Sequence, residues 1–381
     1  MSNLYGRKLE LSITCNPAVD PDTRQLSDTL DVIEIVVDGF EKEGLRITFD
    51  IDYPGYQGFY YSTITIYNFN IKTLLKVVEE GAQVRLSAGY TGDGNFGRIF
   101  SGYVFQSLFE RENITDYKLT LRCIDGAGLF DDNFCSKALE AAFTQTTLFN
   151  VITAYSQTSI PVGKVTKLGD RPMPRAAVIH TTPAVALREA LKFNSPVAAS
   201  NNQIFVSDGK VNVVNLMDTP SNEVIMLSPG EGGLIGSPTQ TDYGADFTCL
   251  LNPSIVLDNP RRIVGLKMTS VKQMAAVHGK GPISILDIAY LNRNRRKSSD
   301  YEENPELRAY DNFKTSLDMD QEYQVIGVRH TGDTRGDEWY THVTGLNKGG
   351  MQPIGFDEED MISGRGLPAL VFNKENNYTG A

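Results

Sequence analysis

A chain of 381 residues is long enough for two or three domains, each able to bury its own core without disulfide staples. A formal charge of −11 argues against a general nucleic-acid coat protein, which needs cations to meet phosphate. It does not exclude a surface past which nucleic acid slides without sticking. No long apolar run occurs and Met1 to Arg7 lead straight into a strand pattern, so neither a membrane span nor a signal peptide is expected.

The elements begin with Leu9 to Cys15, where Leu9, Leu11, Ile13 and Cys15 alternate with Glu10, Ser12 and Thr14. Residues 16–30 are polar and read as a loop. Ile33 to Val37 and Leu45 to Asp52 are further strands. In residues 59–125, Ile64 and Ile66 alternate with Thr63, Thr65 and Tyr67, and a short helix is expected from a cap at Asn70 through Ile71, Leu74, Leu75 and Val78 to Gly81. Strands follow at Val84 to Ala88, Ile99 to Leu108 and Tyr117 to Cys123. Short strands with one two-turn helix predict a small β-barrel over 1–125.

Residues 126–225 change character and predict a small α+β domain. Phe143 to Ser156 carries Leu148, Val151, Ile152 and Tyr155 at helical spacing, and Thr182-Pro183 starts a second helix. Asp208-Gly209 between two strand patterns is a hairpin turn. Residues 226–350 return to β, with strands at Phe247 to Leu251, Ile263 to Met268, Tyr323 to Arg329 and Glu338 to Leu346. They predict a second β-barrel interrupted by a charged loop at 290–312. Residues 351–381, with the acidic run Asp357 to Asp360, read as an extended C-terminal tail. The fold class is therefore mainly β, or α+β: two similar barrels, an intervening α+β domain and a tail.

A faint internal repeat supports the two-barrel reading. Ile64 to Ile71, followed by Val84 to Leu86, resembles Cys249 to Ile255, followed by Ile263 to Leu266. The hairpin Val104 to Cys123 around Glu110 resembles Val325 to Leu346 around Thr331. Chance similarity among short strands is the competing explanation.

Candidate chemistry is sparse. Gly92 to Gly97 matches G-x-G-x-x-G, but a strand pattern follows where a dinucleotide site needs a helix; a hairpin loop is the better reading. Ile235 occupies the third glycine position of the near match at Gly230 to Gly236. His180, His278, His330 and His342 show no metal-ligand spacing, although His330 and His342 could meet across a hairpin with Asp333 and Asp337 in its turn. Cys15, Cys123, Cys135 and Cys249 form no C-x-x-C and read as buried thiols of a reducing compartment. No G-x-S-x-G elbow or marked carboxylate pair appears. No residue is assigned a catalytic, cofactor-binding or metal-ligating role. Arg293 to Lys297 and the acidic tail are interface candidates only.

The run from Ile66-Tyr-Asn through Gly81, Val84, Leu86, Ala88-Gly-Tyr90, Ile99-Phe-Ser-Gly-Tyr-Val and Leu119-x-Leu-x-Cys-x-Asp-Gly126 resembles baseplate hub proteins of contractile-tailed bacteriophages, relatives of the hub part of type VI secretion spikes. Gly232 to Thr239 and Phe247 to Ile255 resemble the second barrel of that family. The resemblance implies a non-enzymatic homotrimer, six barrels in a pseudo-six-fold ring, that joins a hexameric tail tube or tube-initiator protein to a trimeric spike. It implies tape-measure and baseplate-wedge proteins as further partners, DNA crossing the lumen without specific binding, and a place in the virion after assembly in the bacterial cytoplasm. The segment 126–225 and the tail would face the spike. The alternatives are a tube-end or distal tail protein of another tail type, the hub of a contractile injection system, and a tail-associated cell-wall hydrolase.

Overall fold

The computed structural model describes residues 6–15, 32–38, 44–55, 61–70, 82–91, 95–126, 133–157, 159–192, 202–215, 218–230, 232–240, 244–267, 275–277, 282–283 and 320–347. The expected helix at 71–80, the charged loop at 290–312 with Arg293 to Lys297, and the tail at 351–381 lie outside them.

The fold is mainly β. The first strands are β1 (Arg7–Thr14), β2 (Val32–Asp38), β3 (Ile47–Tyr53), β4 (Tyr61–Tyr67), β5 (Gln83–Tyr90), β6 (Phe96–Arg111) and β7 (Tyr117–Ile124). They hydrogen-bond in the order β2-β1-β5-β6-β7-β4-β3. The alternation read in β1 is what buries Leu9, Leu11 and Ile13, because successive side chains point to opposite faces of a strand. These side chains share one core with Ile47, Ile51, Ile64, Ile66, Val84, Leu86, Leu119 and Leu121, so the strands wrap round a common interior.

A second core gathers Cys135, Leu148, Phe149, Ile152, Leu187, Val211 and Val213. It lies among β8 (Cys135–Leu139), α1 (Gln145–Tyr155), β9 (Val162–Val165), β10 (Ala177–Thr181), α2 (Pro183–Lys192), β11 (Asn202–Ser207) and β12 (Lys210–Asn215). The α1 N-cap is Thr144, whose hydroxyl accepts from the Thr147 amide at 3.1 Å. The β11–β12 turn is the expected Asp208-Gly209, with φ of 57° and 71°. Two left-handed residues in succession match the twist of a two-residue hairpin.

The C-terminal strands are β13 (Val224–Leu227), β14 (Leu234–Gln240), β15 (Gly244–Leu250), β16 (Ile263–Lys267), β17 (Ala275–Val277), β18 (Pro282–Ile283), β19 (Asp320–Asp333) and β20 (Trp339–Asn347). Phe247, Cys249, Val264, Leu266, Val325 and Val343 form the third core.

The repeat seen faintly in the sequence is explicit in the ladders. The order β3-β4-β7-β6-β5 recurs as β14-β15-β20-β19-β16, and every pairing in both sets is antiparallel. A bulge falls at the same place: the register slips between Val104 and Gln106 in one copy and between Val325 and Gly327 in the other. Four backbone hydrogen bonds at element ends are also duplicated. Val104 N to Ala82 O (2.8 Å) matches Val325 N to Arg262 O (2.9 Å), and Tyr67 N to Arg46 O (3.0 Å) matches Leu250 N to Gly233 O (2.7 Å). Asn68 N to Tyr117 O (2.8 Å) matches Leu251 N to Trp339 O (3.0 Å), and Glu112 N to Asp116 O (2.9 Å) matches Asp333 N to Glu338 O (2.8 Å). The registers make Phe247 the counterpart of Ile64, two residues from the sequence alignment with Cys249. A two-residue slip keeps the same face of a strand inward, so the pattern survived the error.

The barrels meet edge to edge. The second half of β19, Val328 to Asp333, pairs with β3 from Tyr53 to Thr48. This seam makes a continuous run of strands β14-β15-β20-β19-β3-β4-β7-β6. Trp339 is buried beside the seam, its indole N–H donating to Gly89 O at 3.2 Å and its ring meeting Phe49 edge-on at 5.4 Å. A methyl group on Gly332 would come within 2.3 Å of the Phe49 ring and 2.8 Å of Trp339, so glycine is required where the strand passes under these rings.

Candidate functional site

One face of the continuous run of strands packs on the barrel cores. The other carries rows of polar side chains, with Tyr61 exposed among them. Ladder partners share a face, so the registers align Thr248, His342, Arg329 and Asp52 in one row. Thr331, Asp50, Thr63, Arg122 and Gln106 form the next, and Tyr67, Lys118 and Glu110 lie further along. Threonines and charged residues alternating with the core residues are what direct these side chains outward.

Charges on this face are largely compensated. The Arg329 guanidinium grips Asp50 with two bonds of 2.8 and 2.7 Å. Lys118 meets Glu110 at 3.1 Å, and Arg122 donates to Gln106 at 3.0 Å. Asp52 and Asp246 are both shifted up, chiefly by burial, with Arg329 opposing the shift at Asp52 and Thr344 opposing it at Asp246. The His342 imidazole is pushed down by burial and by the Arg329 charge, and its Nδ1 lies 3.0 Å from the Thr248 hydroxyl. Asp52, Asp246, Arg329 and His342 line an open cleft of about 490 Å³, together with Ser237 and Thr344. The cleft thus sets two half-buried carboxyls beside the Arg329 guanidinium, which is itself engaged by Asp50.

The structure separates His330 from His342. His330 pairs with Thr341, whereas His342 pairs with Arg329, so the two imidazoles lie on opposite faces. His330 is buried beside the Thr341 hydroxyl at 2.9 Å, and burial pushes it down to about 3. Asp333 is held by Arg46 at 2.8 Å and accepts from the Arg335 amide at 2.8 Å. Among the described residues no three His, Cys, Asp or Glu side chains gather as a metal site. The segment after the glycine-rich loop is strand β6, as the hairpin reading requires. Cys15, Cys123, Cys135 and Cys249 are buried free thiols, and burial pushes Cys123 and Cys249 up to about 12. No described helix is long and apolar enough to cross a membrane.

Sequence reasoning missed one charged cluster where all three cores approach. Asp125, at the end of β7, accepts from the Gly209 amide at 2.7 Å. Asp208 in the same turn pairs with Arg98 on β6. Burial pushes the Asp125 carboxyl up to about 7. Tyr53, packed against the cores of both barrels, is raised by burial and by the carboxylates of Asp125 and Asp208. The sequence signal was an acid following the buried strand position Cys123, at the point where alternation ends.

No family model matches the chain, and no curated protein matches it in sequence. Solved structures of similar fold include a 43 kDa tail protein of prophage MuSo2 from Shewanella oneidensis, at 10% identity and TM-score 0.45, over 89% of this chain and 98% of that one. A tail protein from Neisseria meningitidis MC58 also shows 10% identity and TM-score 0.45, over 90% of this chain and 97% of that one. A component of the Escherichia coli type VI secretion system, described as structurally similar to the T4 bacteriophage tail proteins gp27 and gp5, has 6% identity and TM-score 0.45 over 82% of this chain and 76% of that one.

Proposed function

We propose that the chain is a structural hub of a phage tail baseplate: a homotrimer that adapts a hexameric tail tube, or its initiator, to a trimeric spike. The observation that carries this reading is the duplicated barrel. Two barrels with the same strand order, bulge and closing hydrogen bonds let three chains present six nearly equivalent units. A three-fold protein can then meet a six-fold tube without an idle surface. The α+β segment and the C-terminal tail face the spike, while tape-measure and wedge proteins contact the remainder. The polar face lines the channel, and DNA crosses it without specific binding. The protein has no catalytic role and resides in the virion after assembly in the host cytoplasm.

Light scattering over a concentration series tests the adaptor. The expected mass of the protein alone is about three times the 42.1 kDa chain, and on the spike three copies per particle are expected. Six copies per particle would favour a tube-end protein instead. A muralytic assay on the same preparation should give no activity; cell-wall cleavage would transfer the reading to a tail-borne hydrolase.

A further inference from the structure

We propose that the second half of β6, with Phe109 and the adjacent Tyr117, is a docking edge for the second barrel of another copy of this chain. The proposal rests on the ring reading and specifies the surface that closes the ring.

The argument comes from comparing the two barrels. In the second, β19 pairs with β16 through Asp320 to Gln324 and then with the neighbouring barrel's β3 through Val328 to Asp333. In the first, β6 pairs with β5 from Phe96 to Tyr103; beyond the bulge, β7 is its only ladder partner among the described strands. The shared bulge and hairpin place Phe109 where the second barrel has His330, and Tyr117 where it has Trp339.

The seam within the chain seals those positions: His330 and Trp339 are each 1% exposed. Among the described residues no barrel covers their counterparts, and Phe109 is 46% and Tyr117 38% exposed. The two open rings stack at 5.6 Å with planes 13° apart, and Ile114 in the adjoining turn is 85% exposed. An exposed apolar group beside a half-strand with one ladder is a surface prepared for association. Each ring also has a cation near it, from non-equivalent positions: Arg7 of β1 lies 5.6 Å from the Trp339 ring centre, and Arg111 of β6 lies 5.7 Å from that of Tyr117.

A barrel presenting the counterpart of β3 completes the pattern. The chain's own β3 is taken by β19, so that counterpart is β14 in a second copy. The position of Phe49 falls in the irregular stretch of β14 between Ile235 and Thr239, which holds Gly236, Ser237 and Pro238. Where the intrachain seam sets Gly332 against Phe49, the intermolecular seam sets Arg111 against Gly236, Ser237 and Pro238, side by side without a regular ladder. Ser228 already accepts from the Leu234 amide, and β17 flanks Thr239 and Gln240. The partner therefore presents the flank of its barrel, β14 with these neighbours, instead of a bare strand. The contact runs head to tail, the type that closes rings.

The test compares the full-length wild type with a Phe109→Glu/Tyr117→Glu double variant and with Val178→Glu, a control at a site 77% exposed on β10. Light scattering is expected to show the double variant needing at least about 30-fold more protein to assemble, the loss of one aromatic hot spot, with the control unchanged. Emission of Trp339, the single tryptophan, reports that the intrachain seam is intact. The amides of Leu108 and Glu110 face β7; those of Phe109 and Arg111, which alternate with them, should exchange slowly in the assembled wild type and rapidly in the variant. A wild-type trimer matched by an equally stable variant trimer overturns the docking edge and leaves the hub reading standing. A wild type that stays monomeric even with the spike overturns both. If the variant unfolds, fast exchange at Phe109 and Arg111 in the assembled wild type overturns the proposal by itself.

Discussion

Asp125 sits where burial and hydrogen bonding oppose each other. Its carboxyl accepts from the Gly209 amide, yet burial raises it from 3.8 to about 7. A raised acid binds its proton more tightly in the folded chain than in the unfolded one. Its contribution is therefore fully present below about pH 4 and is lost as pH rises to about 7, up to about 4 kcal/mol in all. Asp125→Asn keeps an acceptor for Gly209 and removes the charge. The melting-temperature difference, variant minus wild type, should grow from pH 5 to pH 8; parallel profiles would show that another group sets the dependence. The sequence showed Asp125 only at the end of an alternating strand, because its environment comes from a turn over eighty positions away. For the same reason the histidines could be counted but not paired. Whether two residues across a hairpin share a face depends on the register, which here sets His330 and His342 one step apart.

At the scale of elements, most of the barrel strands were legible from alternation, and Asp208-Gly209 identified its hairpin. The long second halves of β6 and β19 were less legible. A bulge reverses which residues face the core, so Ile326 and Phe105 break the period that marks a strand. The β3–β19 seam joins residues more than 270 positions apart and leaves no local pattern. Its physical signature is Gly332 beneath Phe49 and Trp339. Gly332→Ala should destabilise by about 1–3 kcal/mol through overpacking, and Trp339→Ala by about 3–5 kcal/mol through lost burial and a cavity. Denaturant titration followed by circular dichroism measures both. The Trp339→Phe variant keeps most of the ring but loses the bond to Gly89, so it should fall well short of the alanine value. Equal losses for Phe and Ala would mean that ring packing contributes little at the seam.

At the scale of the molecule, the repeat was visible as two similar hairpins, but its consequence was not. Only the strand order shows that the barrels share one sheet and one polar face. That face is the wall of the proposed channel, and its charges set how it would meet nucleic acid. Its carboxylates, Asp50, Asp52, Glu110 and Asp246, are interspersed with Lys118, Arg122 and Arg329, and the whole chain carries −11. Affinity for duplex DNA grows with the number of phosphates neutralised and falls steeply with salt. A surface whose cations are already engaged by Asp50, Glu110 and Gln106 has few to offer. In fluorescence anisotropy with a short duplex at about 0.15 M salt, a Debye length of about 8 Å, no binding is expected at micromolar protein. Replacing Asp50 and Asp52 with asparagine frees Arg329 and removes two negative charges. This variant should acquire weak, salt-sensitive binding. Tight binding by the wild type would contradict a channel that DNA must cross without stopping. Binding abolished by neutralising Arg293 to Lys297 would move the contact to that basic run and leave the polar face inert.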